Sequence, residues 1–154
     1  MPSKKNVLIS FAVFIAGLCS IVYELLISTT ATYFLGNSVK QFSLIIGIYL
    51  FAMGVGAYLS KFCKNKSLQF FVKIEYLLGL IGGLSVPLMY FMFVTVSADN
   101  MQFFTWLLIF VIGLLTGMEV PLLTYAISNA KFEDSLANVL SLDYLGGLIA
   151  TLIF

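Results

Sequence analysis

Four carboxylates sit inside otherwise apolar stretches of this 154-residue sequence: Glu24, Glu75, Glu119 and Asp143. An ionisable group at membrane depth costs about 3 kcal/mol or more, so such residues normally face a cavity or a partner. The chemistry open to them is cation binding or proton transfer. Around Glu24, the residues Gly17, Ser20, Ser28 and Ala31 recur at helical spacings, giving one small, polar face with Tyr23 beside it. That face suits a cavity-lining acid, and also a packed interface in which Ser20 and Ser28 solvate the carboxyl group. Glu119 stands in the run Gly117-Met118-Glu119-Val120-Pro121, where the proline ring removes a helical hydrogen bond and clashes with the Gly117 carbonyl. A kink is expected there. Freed carbonyls beside an acid make a cation or proton site, as in the broken helices of transporters, and a packing kink around a protonated Glu119 is the alternative. Asp143 follows the polar start Glu133, Asp134 and Ser135 and precedes Tyr144, Gly146 and Gly147. Glu24, Glu119 and Asp143, with Ser20 and Tyr23, form the candidate cation or proton pathway. Glu75 has Lys73 close by, and both read as interfacial, snorkelling residues. Asp134 or Ser135 reads as a helix cap.

The elements that must position these residues follow from hydropathy. Hydrophobic residues make up 61% of the chain and charged residues 10%, and mean hydropathy is +1.07, so water is not its main solvent. A hydrocarbon core of ~30 Å takes about 20 apolar residues to cross, and five stretches are long enough: 7–35, 38–59, 70–95, 103–126 and 136–154. They lack the alternation of barrel strands, so the expected fold is all-α, a polytopic membrane bundle of five transmembrane helices in a single domain, 1–154. The first helix would be ~43 Å long at 1.5 Å per residue, and must tilt strongly, break near Glu24, or project from the bilayer. The connectors 36–37, 60–69, 96–102 and 127–135 are short and turn-like. If the five helices alternate, Lys4, Lys5, Lys61, Lys64, Lys66, Lys73 and Lys131 fall on one side and Lys40 on the other, which places the N-terminus in the cytoplasm. Small residues mark where helices can approach closely: Ala52, Gly56 and Ser60 at a spacing of four, Gly47 with Gly54, and Gly113 with Gly117. They leave a compact bundle and a homo-oligomer both open.

Composition also excludes chemistry. The chain has no histidine and no arginine, which removes the usual general base and metal ligand. Cys19 and Cys63 lie far apart, in an apolar run and a lysine-rich loop, so no structural disulfide is expected. Gly79, Gly82 and Gly83 lie inside an apolar run and read as helix packing rather than a phosphate cradle. No catalytic residue, cofactor or metal is expected in this chain, and no nucleic-acid partner. The apolar run after Lys5 extends to Leu35, too long for a signal-peptide core, and Leu18 before Cys19 argues against a lipoprotein signal. The last segment is still apolar at Phe154, without a polar or basic flank, so the natural chain is expected to continue beyond it.

Several motifs occur in a familiar order: Tyr23-Glu24-Leu25, Phe34-Leu35-Gly36-Asn37-Ser38, Met53-Gly54 with Gly56, Gly117 through Pro121-Leu122, and Asp143-Tyr144-Leu145-Gly146-Gly147. From about Gly17 onward the sequence resembles the membrane-spanning N-terminal region of bacterial spermidine synthase-like proteins, the polyamine aminopropyltransferase family with fused membrane segments. The resemblance implies a following soluble domain of methyltransferase-like fold, which binds decarboxylated S-adenosylmethionine and transfers aminopropyl groups to a polyamine. No residue of that domain has a matching position here. Two readings follow. In the first, this is the membrane domain of a spermidine synthase-like protein in the bacterial cytoplasmic membrane, anchoring the transferase domain or passing polyamines. In the second, it is a small transporter-like module for protons or organic cations. A structural membrane subunit is the third.

Overall fold

The computed structural model describes residues 4–127 and 132–154, except for the side chains of 4–7, 98, 99, 127 and 132–135. Every described element is helical: α1 (Lys4–Leu35), α2 (Ser38–Leu59), a 3₁₀ segment (Ser60–Lys66), α3 (Ser67–Thr95), α4 (Ala98–Ile127) and α5 (Phe132–Ile153). The expected all-α class is what the chain adopts. Four segments are long and apolar enough to cross a membrane: Leu8–Leu35, Ser38–Thr95, Asn100–Ala126 and Leu136–Ile153, of which the second holds both α2 and α3. Phe11, Phe51, Phe91, Leu107 and Leu152 point outward from the bundle. A surface of that kind matches hydrocarbon rather than water.

Local chemistry explains the turns. Gly36 and Asn37 both adopt positive φ, 71° and 49°, so the chain reverses within two residues. The Gly36 N–H donates to the Thr32 carbonyl at 3.0 Å, and Asn37 Oδ1 accepts from the Lys40 N–H at 3.2 Å, closing one helix and capping the next. Several helices start earlier than hydropathy places them. α3 begins at Ser67, α4 at Ala98 and α5 at Phe132, because the first turn of a helix has free N–H groups that tolerate polar surroundings. Asp134 and Ser135 therefore lie within α5, and neither is its cap. Expectations that rest on Lys131 fall outside the described residues.

α1 is a single unbroken helix of 32 residues, ~48 Å at 1.5 Å per residue. The break considered near Glu24 is not there; backbone hydrogen bonding is kept, and the acid is accommodated by its neighbours instead. α4 likewise runs as one helix through Pro121, and α3 through Pro87. Pro121 cannot donate to the Gly117 carbonyl, but that one lost bond does not end the helix.

α4 is the central element. Its most apolar window is 56% buried, against 28% or less for the other three segments, and it packs on all four other helices. α2 lies chiefly on α4, and α1 chiefly on α5. Both seams are made by small residues, because helices in lipid associate through close van der Waals packing. A Cβ on Gly117 would strike the Met53 backbone, one on Gly56 the Leu114 backbone, and one on Gly146 the Phe14 carbonyl. Gly47 and Gly54, by contrast, have open space around them. Of the small-residue patterns in α2, only Ala52, Gly56 and Ser60 face a neighbour. At one end of the bundle, Phe34 stacks on Phe93 at 4.3 Å and meets Tyr90 edge-on at 4.7 Å, tying the end of α1 to the end of α3.

Candidate functional site: an acid-lined cleft between two helix pairs

Among the described residues, α2 and α5 do not pack on each other. Each is held by a different partner, α2 by α4 and α5 by α1, and the gap between them is a cleft of about 370 Å³. α1 contributes Gly17, Ser20 and Glu24 to its lining, α4 contributes Thr116 and Val120, α2 contributes Tyr49 and Met53, and α5 contributes Asp143, Gly147 and Thr151. Glu24, Ser20 and Asp143, three of the residues singled out by sequence, thus share one cavity.

The positions of the acids follow from packing. A Cβ on Gly17 would collide with Asp143 Oδ1 at 2.6 Å and with its backbone carbonyl, so Asp143 lies directly over the bare backbone of α1. Glu24 is on the same face of α1, about 10 Å further along at 1.5 Å per residue. Both are half-buried. Ser20 is buried but its hydroxyl donates to the Gly17 carbonyl at 3.0 Å, so it is spent on its own helix rather than on Glu24. Ser28 is fully buried with an unpartnered Oγ. The polar stripe of α1 therefore lines the cleft from Gly17 to Glu24 and is fully buried at Ser28 and Ala31.

Glu119 and Tyr23 are placed elsewhere. Glu119 is 3% exposed and does not line the cleft. Tyr23 packs its ring against Gly82 of α3. Glu75 was expected at the interface, yet its Oε1 is enclosed by protein and has no hydrogen-bond partner. Lys73 does not reach it; its Nζ lies 5.8 Å from the centre of the Phe70 ring. The reason is helical phase: positions 73 and 75 are two apart and so point to different sides of α3.

Two lining residues were not legible as site residues. Tyr49 is 2% exposed and Thr116 is 5% exposed, and the hydroxyl oxygen of each has no formed hydrogen bond. The Thr116 and Ser20 hydroxyls stand beside Tyr49 Oη without reaching hydrogen-bonding geometry. The signal available in sequence was the Gly113 and Gly117 pair. Their bare backbones let Tyr49 and Met53 of α2 settle onto α4, which brings Tyr49 to Thr116.

The lysines gather away from the cleft. Lys61 lies over the Tyr58 ring at 4.5 Å and Lys64 over the Tyr125 ring at 5.3 Å, so the 3₁₀ segment and the end of α4 form one basic end of the bundle. Lys40 is exposed at the other end of α2, a helix of 22 residues and ~33 Å.

Comparison with known proteins adds a family relationship. The chain is 43% identical to the polyamine aminopropyltransferase of Leptospira interrogans over 93% of its length, but covers 28% of that protein. It is 41% identical to polyamine aminopropyltransferase 2 of Ralstonia nicotianae over 99% of its length, covering 30% of it. With polyamine aminopropyltransferase 2 of Aquifex aeolicus the identity is 36%, over 95% of this chain and 30% of the other. No family model and no solved structure matches the chain. The expected resemblance is thereby met in its coarse form: this chain is a helical, membrane-type domain homologous to part of bacterial polyamine aminopropyltransferases, spanning under a third of the length of the relatives it matches.

Proposed function

We propose that this chain is the membrane domain of a spermidine synthase-like protein of the bacterial cytoplasmic membrane, holding an aminopropyltransferase domain at the cytoplasmic face and binding or passing polyamines. The observation that carries it is the shape of the similarity, which takes in nearly all of this chain and less than a third of each polyamine aminopropyltransferase. The greater part of those proteins is where a soluble transferase would be. The basic end formed by Lys61, Lys64 and Lys66 supports a cytoplasmic placement of the 3₁₀ segment and of the N-terminus, because cytoplasmic loops carry the lysine excess.

Expression of the intact gene, followed by separation of membranes, tests this reading. Aminopropyl transfer from decarboxylated S-adenosylmethionine to putrescine should sediment with the membranes, and become soluble when codons for the helices are deleted. A gene product without transferase activity in either fraction would refute it. The acid-lined cleft favours a second reading, a stand-alone module that moves protons or organic cations. Uptake of labelled spermidine into liposomes holding this chain alone, lost in Glu24→Gln and Glu119→Gln, would support that reading; absence of uptake would remove it.

A further inference from the structure

Every polar group that the cleft presents is an acceptor or a hydroxyl. Glu24 and Asp143 are carboxyl groups, and Tyr49 and Thr116 are buried hydroxyls with no formed partner. The chain has no arginine or histidine, and among the described residues no lysine lines the cleft. A lipid tail or an apolar helix seated between α2 and α5 would leave these groups unsatisfied, at a cost that buried polar groups normally avoid. Apolar side chains, Leu50, Met53, Val120 and Leu148, complete the wall between the acids. Asp143 lies over Gly17, and Glu24 follows two helical turns further along α1, a backbone rise of about 10 Å. An occupant that satisfies all of this carries ammonium donors at separated points with methylene groups between them.

We infer that the cleft between α2 and α5 is a binding site for a linear alkyl cation with two or more ammonium groups, held by Glu24 and Asp143 at separate points. Its methylene chain lies against the apolar wall of Leu50, Met53, Val120 and Leu148. This assignment deepens the polyamine reading above and depends on it only for the source of the amine; the recognition chemistry stands on the cleft itself.

The test is local to the cleft. In the full-length protein with every native cysteine, Cys19 and Cys63 among them, replaced by serine, Thr151→Cys places a single reporter in the cleft wall. Its alkylation by a small maleimide is followed in nanodiscs with putrescine, spermidine, butylamine or 1,4-butanediol. The two amines with several charges should slow labelling, and butylamine and the diol should not. Glu24→Gln or Asp143→Asn should weaken protection roughly ten- to a hundredfold, as expected for a lost charge-assisted hydrogen bond. Glu75→Gln, outside the cleft, should leave it unchanged. Equal protection by butylamine, protection that survives both acid variants, or a thiol that does not react even without amine would each overturn the assignment. Transferase activity read in the same preparation separates the two proposals: amine protection without transfer sinks only the enzymatic reading, and transfer without protection sinks only the cleft.

Discussion

Replacing Gly117 by alanine sets helix propensity directly against packing. In an exposed helix the change gains about 1 kcal/mol, since alanine is the better helix former. Here the new Cβ would fall 2.5 Å from Met53 Cα and still closer to the Met53 carbonyl oxygen, and the obstacle is backbone, which cannot rotate aside. Overpacking of a close seam costs about 1–3 kcal/mol, and a backbone clash belongs at the upper end. The net expectation is a loss of about 1–2 kcal/mol. Gly54→Ala provides the control: it changes α2, the facing helix, at a site with nothing within 4 Å. It should be neutral or stabilising, so the two variants should differ by about 2–3 kcal/mol, more than ~30-fold in the ratio of folded to unfolded protein. Unfolding in detergent micelles titrated with SDS, followed by tryptophan fluorescence, measures the difference, since Trp106 is the single tryptophan and lies on α4. Equal stability of Gly117→Ala and Gly54→Ala would refute the claim that bare backbone holds α2 on α4, and with it the account of how Tyr49 reaches Thr116.

Other outcomes follow from the same structure. Gly82→Val should destabilise the bundle and displace the Tyr23 ring, whereas Gly83→Val, one residue on and in open space, should leave stability unchanged within about 0.5 kcal/mol; SDS unfolding of the pair checks it. Phe34→Ala removes a stacked and an edge-on ring contact and should cost about 1–3 kcal/mol, measurable in the same titration. Tyr49→Phe deletes a buried hydroxyl without a formed partner and should leave stability unaltered or slightly raised; a loss above about 1.5 kcal/mol would show that the hydroxyl is bonded. In oriented vesicles, a membrane-impermeant thiol reagent should label Lys61→Cys from the cytoplasmic side and Lys40→Cys from the opposite side. The reverse pattern would invert the proposed orientation.

The amino-acid sequence by itself determined the class of structure and much of its segmentation. Apolar runs of this length can satisfy their backbone groups in lipid only as helices, and Gly36 with Asn37 fixes the first reversal to two residues whatever surrounds it. Hydropathy could not give the helix starts, because Ser67 and Phe132 open their helices in polar stretches where backbone, not side-chain character, decides. It also could not show that the first helix stays whole past Glu24, since that depends on what the neighbouring helices fill in. Of the residues marked for chemistry, sequence identified Glu24, Ser20 and Asp143 from the cost of an acid in hydrocarbon and the spacing of small residues beside it. The tertiary structure alone decided which of them meet. Asp143 reaches α1 because Gly17 has no side chain to keep it away, Glu75 turns inward because of its helical phase relative to Lys73, and Glu119 stays out of the cleft in the interior. Tyr49 and Thr116 enter the site only because two glycines on α4 let a second helix lie against them, a relation between residues more than sixty positions apart that no local pattern contains. The gap between α2 and α5 is likewise a property of the packing order, in which each is drawn to a different partner.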